Sequence, residues 1–152
     1  MMRFVPLTPG LLALMPVAEH LKGAASMMSS PEAAAMACQP GLGLALLDGG
    51  RIVGAAGILP FWQGRALCWF LPGLWMERRH YARALHRCRQ QLRALAAEGY
   101  RRLECSVVVG HAEGLHWAQR LGFKSEGRMR AYGPDGGDHW LMAWIAADEE
   151  QA

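Results

Sequence analysis

The stretch Glu98-Gly99-Tyr100-Arg101-Arg102-Leu103-Glu104-Cys105-Ser106-Val107-Val108-Val109, continued by His111-Ala112-Glu113-Gly114-Leu115-His116-Trp117-Ala118-Gln119-Arg120-Leu121-Gly122-Phe123, decides how this chain folds. Gly99 is the expected stop of a preceding helix, because glycine takes the left-handed backbone of a helix C-terminus without a Cβ penalty. Leu103 to Val109 is apolar enough to be a central, buried strand. Leu115 to Leu121 follows as a short helix closed by Gly122. Lys124 to Tyr132 and His139 to Ile145 then read as a hairpin around Pro134-Asp135-Gly136-Gly137. The order is strand, short helix, Leu-Gly-Phe, hairpin.

Working upstream, Met76 to Ala97 reads as the longest helix. Leu85, Cys88, Leu92 and Leu95 recur every three or four residues and make its core stripe, while Arg79, Arg83 and Arg87 lie on another face. Before it stands a strand meander: Gly43 to Leu47, a turn at Asp48-Gly49-Gly50, Arg51 to Leu59, a turn at Gln63-Gly64, and Ala66 to Leu71 stopped by Pro72-Gly73. At the front, Phe4 to Leu7 reads as a strand. Thr8 and Pro9 open a helix over Leu11 to Leu21, and Ser29 or Ser30 with Pro31 opens another through Ala37. The predicted order is β-α-α-β-β-β-α-β-α-β-β. Its strand–helix–strand unit implies one parallel pair in a mixed, mostly antiparallel central sheet flanked by helices, an α/β single domain over residues 1–147. The acidic residues Asp148 to Gln151, within 148–152, are expected to fray.

The 152 residues suffice for one domain with a real core and are too few for two. A hydrophobic content of 52% against 19% charged residues argues for a packed globule and against disorder. The net charge of +3 permits acidic partners without demanding nucleic acid, and no helix-turn-helix, zinc or RNA-binding pattern is present. Cys38, Cys68, Cys88 and Cys105 match no zinc or redox spacing, so a reducing cytoplasm is the natural location. No apolar run reaches the ~18 residues a membrane span needs. Arg3 to Ala18 faintly resembles a leader, but Pro6, Pro9 and Pro16 interrupt it.

The element order and Arg120-Leu121-Gly122-Phe123 resemble the GCN5-related N-acetyltransferase (GNAT) superfamily across nearly the whole chain, more specifically after Gly41 than before it. Within it, Trp69-Phe70-Leu71, the arginine-rich helix and Trp117 to Phe123 resemble short GNAT-like proteins of tailed bacteriophages. The resemblance implies acetyl-CoA as cofactor and an amine acceptor. In the family, Arg/Gln-x-x-Gly-x-Gly/Ala between the fourth strand and the long helix cradles the pyrophosphate, a site of free backbone N–H groups at a helix N-terminus. The matching stretch is Arg79-His80-Tyr81-Ala82-Arg83-Ala84. Arg79 and Ala84 fit, and Ala82 stands where glycine is usual. Phe70 and Leu71 map to the strand that holds pantetheine in the family; their alternative reading is core and strand end. Pro72 offers no N–H there. The tyrosine that commonly protonates the leaving thiolate is replaced by Ala118, and the usual asparagine by His111.

Two further residues carry candidate chemistry. Glu104 alternates out of phase with Leu103, Cys105 and Val107; it serves as a base through water, or it is an exposed carboxylate beside Arg101 or Arg102. His111, at the strand end, contacts CoA or shuttles a proton, or simply starts the helix. The arginine stripe, including Arg79 and Arg83, meets CoA phosphates or is a solvated face. Trp62 and Trp75 flank loops and could anchor a partner protein. Two functions therefore stand: an acetyl-CoA-dependent N-acyltransferase with an altered cofactor motif, or a catalytically weak GNAT-like domain that binds and modulates a host protein. The resemblance also allows a homodimer.

Overall fold

A computed structural model describes residues 1–151. The chain divides into two compact units, one of Met1–Leu59 with Cys68–Ala84, the other of Pro60–Leu67 with the residues from Leu85 onward. The strands β1 (Met2–Pro6), β2 (Gly43–Asp48), β3 (Arg51–Trp62), β4 (Arg65–Pro72), β5 (Arg102–Val108), β6 (Lys124–Met129) and β7 (His139–Ile145) hydrogen-bond in the order β1-β2-β3-β4-β5-β7-β6.

In the first unit, β1 (Met2–Pro6) runs antiparallel to β2 (Gly43–Asp48), and β2 to β3, whose whole span is Arg51–Trp62. Thr8 caps α1 (Pro9–Ala13) by accepting the Leu11 N–H at 3.2 Å. The single helix expected over Leu11 to Leu21 is broken instead: α1 ends at Ala13, and a 3-10 turn (Glu19–Leu21) leads into α2 (Lys22–Ser26). Pro16 explains the break, since it has no N–H and its ring clashes with a preceding helical turn. Ser30 caps α3 (Pro31–Ala37), accepting the Ala33 N–H at 3.1 Å. The core is Leu7, Met15, Ala45, Leu47, Ile52, Ala55 and Leu71, with Trp69 packed against it.

In the second unit, Arg65–Leu67, the start of β4 (Arg65–Pro72), pair in parallel with the start of β5 (Arg102–Val108). β5 runs antiparallel to β7 (His139–Ile145), and β7 to β6 (Lys124–Met129). α4 (Arg78–Ala97), of which the residues from Leu85 belong to this unit, leads into β5 and starts two residues later than its sequence suggests. α5 (Ala112–Leu121) ends at Gly122, whose φ of 103° is the left-handed turn-off that glycine permits. α6 (Ala146–Glu150) forms where the sequence reads as a frayed tail; Ala152 lies outside the described residues.

The β5–β7 register sorts side chains onto two faces, because cross-strand partners share a face. Leu103, Val107, Met142 and Trp144 share the buried face. Arg102, Glu104, Ser106, Val108 and His139 share the other. β6 is exposed along nearly its whole length. No helix among the described residues is long and apolar enough to cross a membrane.

Candidate functional site

Glu77 stands just before α4. Its carbonyl accepts the N–H groups of His80 and Tyr81 at 2.9 and 3.1 Å, and its own N–H donates to Nδ1 of His80 at 2.9 Å. This is the reciprocal logic of a capping box, with an imidazole in place of the usual Glu or Gln. Facing a donor, Nδ1 carries the lone pair, so Nε2 bears the proton and donates to Oδ2 of Asp48 at 2.9 Å. Oδ2 also accepts from Nη2 of Arg79 at 2.7 Å, while Nε of Arg79 donates to Glu77 at 3.1 Å. The His80 hydrogen bond, then the Arg79 guanidinium, hold the Asp48 carboxyl at about 2. Beside them, Arg51 stacks over Trp75 at 4.2 Å. These residues line an open cavity of about 510 Å³.

Arg79, Ala82, Arg83 and Ala84 all lie in the first two turns of α4. Arg79, Ala82 and Arg83 are exposed, and Ala84 is buried. Arg79 is committed to two carboxylates. Arg83, like Arg78, is exposed and makes no ion pair among the described residues. On β4, Leu71 belongs to the core and Phe70 lies 6.4 Å from the Tyr81 ring. The two therefore sit on opposite faces of the strand, as alternation requires.

The parallel ladder pairs Arg65 with Arg102, Ala66 with Leu103 and Leu67 with Glu104. β5 pairs with β7 along its whole length, from Arg102↔Ile145 to Val108↔His139. Glu104 is 4% exposed. Arg65 grips it with Nε and Nη2, and Arg102 donates Nε to it at 2.8 Å. Arg102 also reaches Glu126 at 3.0 and 2.5 Å. The hydrogen bonds of Arg65, then those of Arg102, hold the Glu104 carboxyl below its usual range against the opposing effect of burial. Phe61 and Trp62 cover the Arg65 guanidinium at 4.6 and 4.3 Å. A carboxylate gripped this way is a weak base.

His111 caps α5 with its carbonyl, which accepts the Leu115 N–H at 3.1 Å. Its ring lies over Gly114, where an added Cβ would stand 2.4 Å from Cδ2. Ala118 is buried and carries no group that could donate a proton. Burial pushes the Cys105 thiol up to about 12 and that of Cys88 to about 11, which makes both poor nucleophiles near neutrality. No cluster of His, Cys, Asp or Glu among the described residues has a metal-holding arrangement.

The fold thus separates the residues singled out from sequence. Glu104 sits at the start of β5 and His111 beyond its end, so the two are not brought together. Sequence reading passed over His80 and Arg65, which organise the two polar networks. A histidine three residues after Glu77 was the available signal for the first. Nothing local marks Arg65, whose partner is 39 residues away.

No protein-family model and no curated protein matches the chain. Solved structures do. One described as "Probable acetyltransferase" superposes with a TM-score of 0.73 at 17% identity, covering 97% of this chain and 94% of that one. Ard1 from Thermoplasma volcanium gives 0.71 at 14%, covering 95% and 97%. An acetyltransferase of the GNAT family from Streptococcus pneumoniae gives 0.68 at 14%, covering 95% and 99%. The chain therefore shares the fold of these acetyltransferase structures. At such identities the likeness speaks to fold alone, and it carries nothing about phage origin.

Proposed function

We propose that the chain is an acyl-CoA-dependent N-acyltransferase acting on a primary amine. The observation that carries this reading is the exposed cationic start of α4, where Arg79 and Arg83 stand one turn apart in its first two turns. The charge on α4 fits a diphosphate: Arg83 is exposed and unpaired, and Arg79 lies one turn before it. Ala82 is exposed beside them, and the buried Ala84 serves by leaving room. Phe70 and Leu71 are assigned to the cofactor strand on the family resemblance. When bound, the cofactor supplies an acyl thioester. The chain's own residues hold and orient it, and the proton-handling role is assigned to His111, beyond the end of β5, on the family resemblance.

Calorimetric titration with acetyl-CoA, with CoA as control, tests the reading. Binding at roughly micromolar to sub-millimolar affinity supports it. Arg83→Glu should weaken that binding at least tenfold without moving the melting temperature. No heat at millimolar ligand overturns it.

A second reading, a catalytically weak domain that binds another protein, is favoured by the buried Ala118 and the gripped Glu104. Trp62 and Trp75 are 57% and 41% exposed and offer it a surface. It predicts a partner interaction that survives Arg83→Glu and fails with Trp62→Ala or Trp75→Ala.

A further inference from the structure

His139 is 8% exposed, and its Nδ1 has no hydrogen-bond partner among the described residues. Leaving such an atom buried and unmade costs about 1–3 kcal/mol, so it calls for a physical explanation. The register gives its address. Glu104↔Ala143, Ser106↔Leu141 and Val108↔His139 put His139 on the same sheet face as Glu104, about 13 Å further along β5. Val108, the residue opposite His139 in the register, is 47% exposed.

The loop joining β6 to β7 closes over the imidazole. The Tyr132 ring lies 5.0 Å away. Gly133 leaves space beside Nε2, where a Cβ would come within 2.9 Å of it and of Oδ1 of Asp135. Tyr132 and Asp135 are thus the titratable groups facing the ring from the loop. Its neighbours in register, Val108 on β5 and Met129 on β6, are uncharged. The loop carries a stored cost as well: Ala131 has a φ of 52°, a left-handed conformation unusual for a residue with a Cβ. Asp138 holds it there, accepting the Ala131 N–H at 2.9 Å and Nε of Arg128 at 2.8 Å.

Resting on the acyltransferase reading, we propose that His139 is the base that deprotonates the acceptor, and that the acceptor is an amine arriving as its ammonium. Glu104 is occupied by Arg65 and Arg102, whereas Nδ1 of His139 is free to accept. With the ring proton on Nε2, Nδ1 takes one proton from the ammonium. The amine lone pair then attacks the thioester carbonyl, the C–N bond forms and the C–S bond breaks. The sulfur leaves with its electron pair and receives the second proton of the attacking nitrogen. The imidazolium then returns its proton to water. Tyr132, 48% exposed, yields to admit the acceptor.

The test is steady-state turnover of acetyl-CoA with n-butylamine from pH 6 to 9, alongside calorimetry with acetyl-CoA. His139→Gln should lower kcat about 100-fold, a common size for general-base loss. It should leave acetyl-CoA affinity unchanged and abolish the acidic limb of the rate profile. Gly133→Ala, which crowds the ring but keeps the base, should lower kcat and retain the limb. In the unaltered chain labelled with 15N-histidine, n-butylamine added with CoA should shift the ring signals of His139. A kcat within twofold of the unaltered chain with the limb intact overturns the proposal, as does an unshifted ring signal. Failure of the unaltered chain to bind acetyl-CoA removes the acyltransferase reading itself, and shows before any variant is compared.

Discussion

Glu77 and His80 cap each other across the first turn of α4: the N–H of Glu77 donates to Nδ1 of His80, and the N–H of His80 donates to the carbonyl of Glu77, each at 2.9 Å. Because His80 is 2% exposed, nothing in solvent replaces it. His80→Ala should destabilise the chain by about 2 kcal/mol, the loss of a cap plus an unmet buried donor. Urea unfolding measures this. His80→Gln, whose amide oxygen can take the Glu77 N–H, should recover part of it.

The Asp48 carboxyl, held at about 2, gives the fold an acid-sensitive element. A folded-state pKa below the unfolded value contributes stability fully above the unfolded pKa of about 4. That contribution is lost as pH falls through the folded value. The melting temperature of Asp48→Asn should therefore lie below that of the unaltered chain at pH 6, and the gap should close between about pH 4 and 2. A constant gap across that window would remove the ion pairs from the explanation.

Glu104→Gln should cost roughly 3 kcal/mol, the low end for breaking a buried pair, because Arg65 and Arg102 both still reach solvent. The added Glu104→Gln, Arg65→Met change should recover part of the loss, since removing both partners is cheaper than stranding one. Equal destabilisation by the single and double variants in chemical unfolding would mean that the pair is inert.

Gly57→Ala places a Cβ 2.8 Å from the Leu42 carbonyl and 2.8 Å from Nε1 of Trp69. Backbone cannot give way cheaply, so a loss of about 2 kcal/mol is expected, within the range for overpacked cores. The same change should shift Trp69 fluorescence, because its indole N–H is buried without a partner among the described residues.

The strands were legible because their signals are local. Asp48-Gly49-Gly50 turns where expected, and the apolar run at Leu103 becomes β5. The front was less so. Leu11 to Leu21 has helical spacing, but Pro16 outweighs spacing over so short a segment. For the site, period-two alternation correctly set Glu104 apart from Leu103 and Cys105. Whether its carboxylate was free or clamped depended on Arg65, and no pattern along the chain encodes a contact across two strands. His139, with no partner motif along the chain, reads from sequence as structural or surface for the same reason: its register with Val108 exists only after the hairpin folds.

β6 is the last strand of the sheet, and its unpaired side could in principle template another chain. Lys124, Glu126 and Arg128 stud it with charges of both signs, and its register shifts between Ser125 and Gly127. An incoming strand would have to bury those charges and match an irregular spacing of hydrogen-bonding groups. This border of the molecule is accordingly guarded against accretion, and even in concentrated solution the sheet should not grow into fibrils from this side.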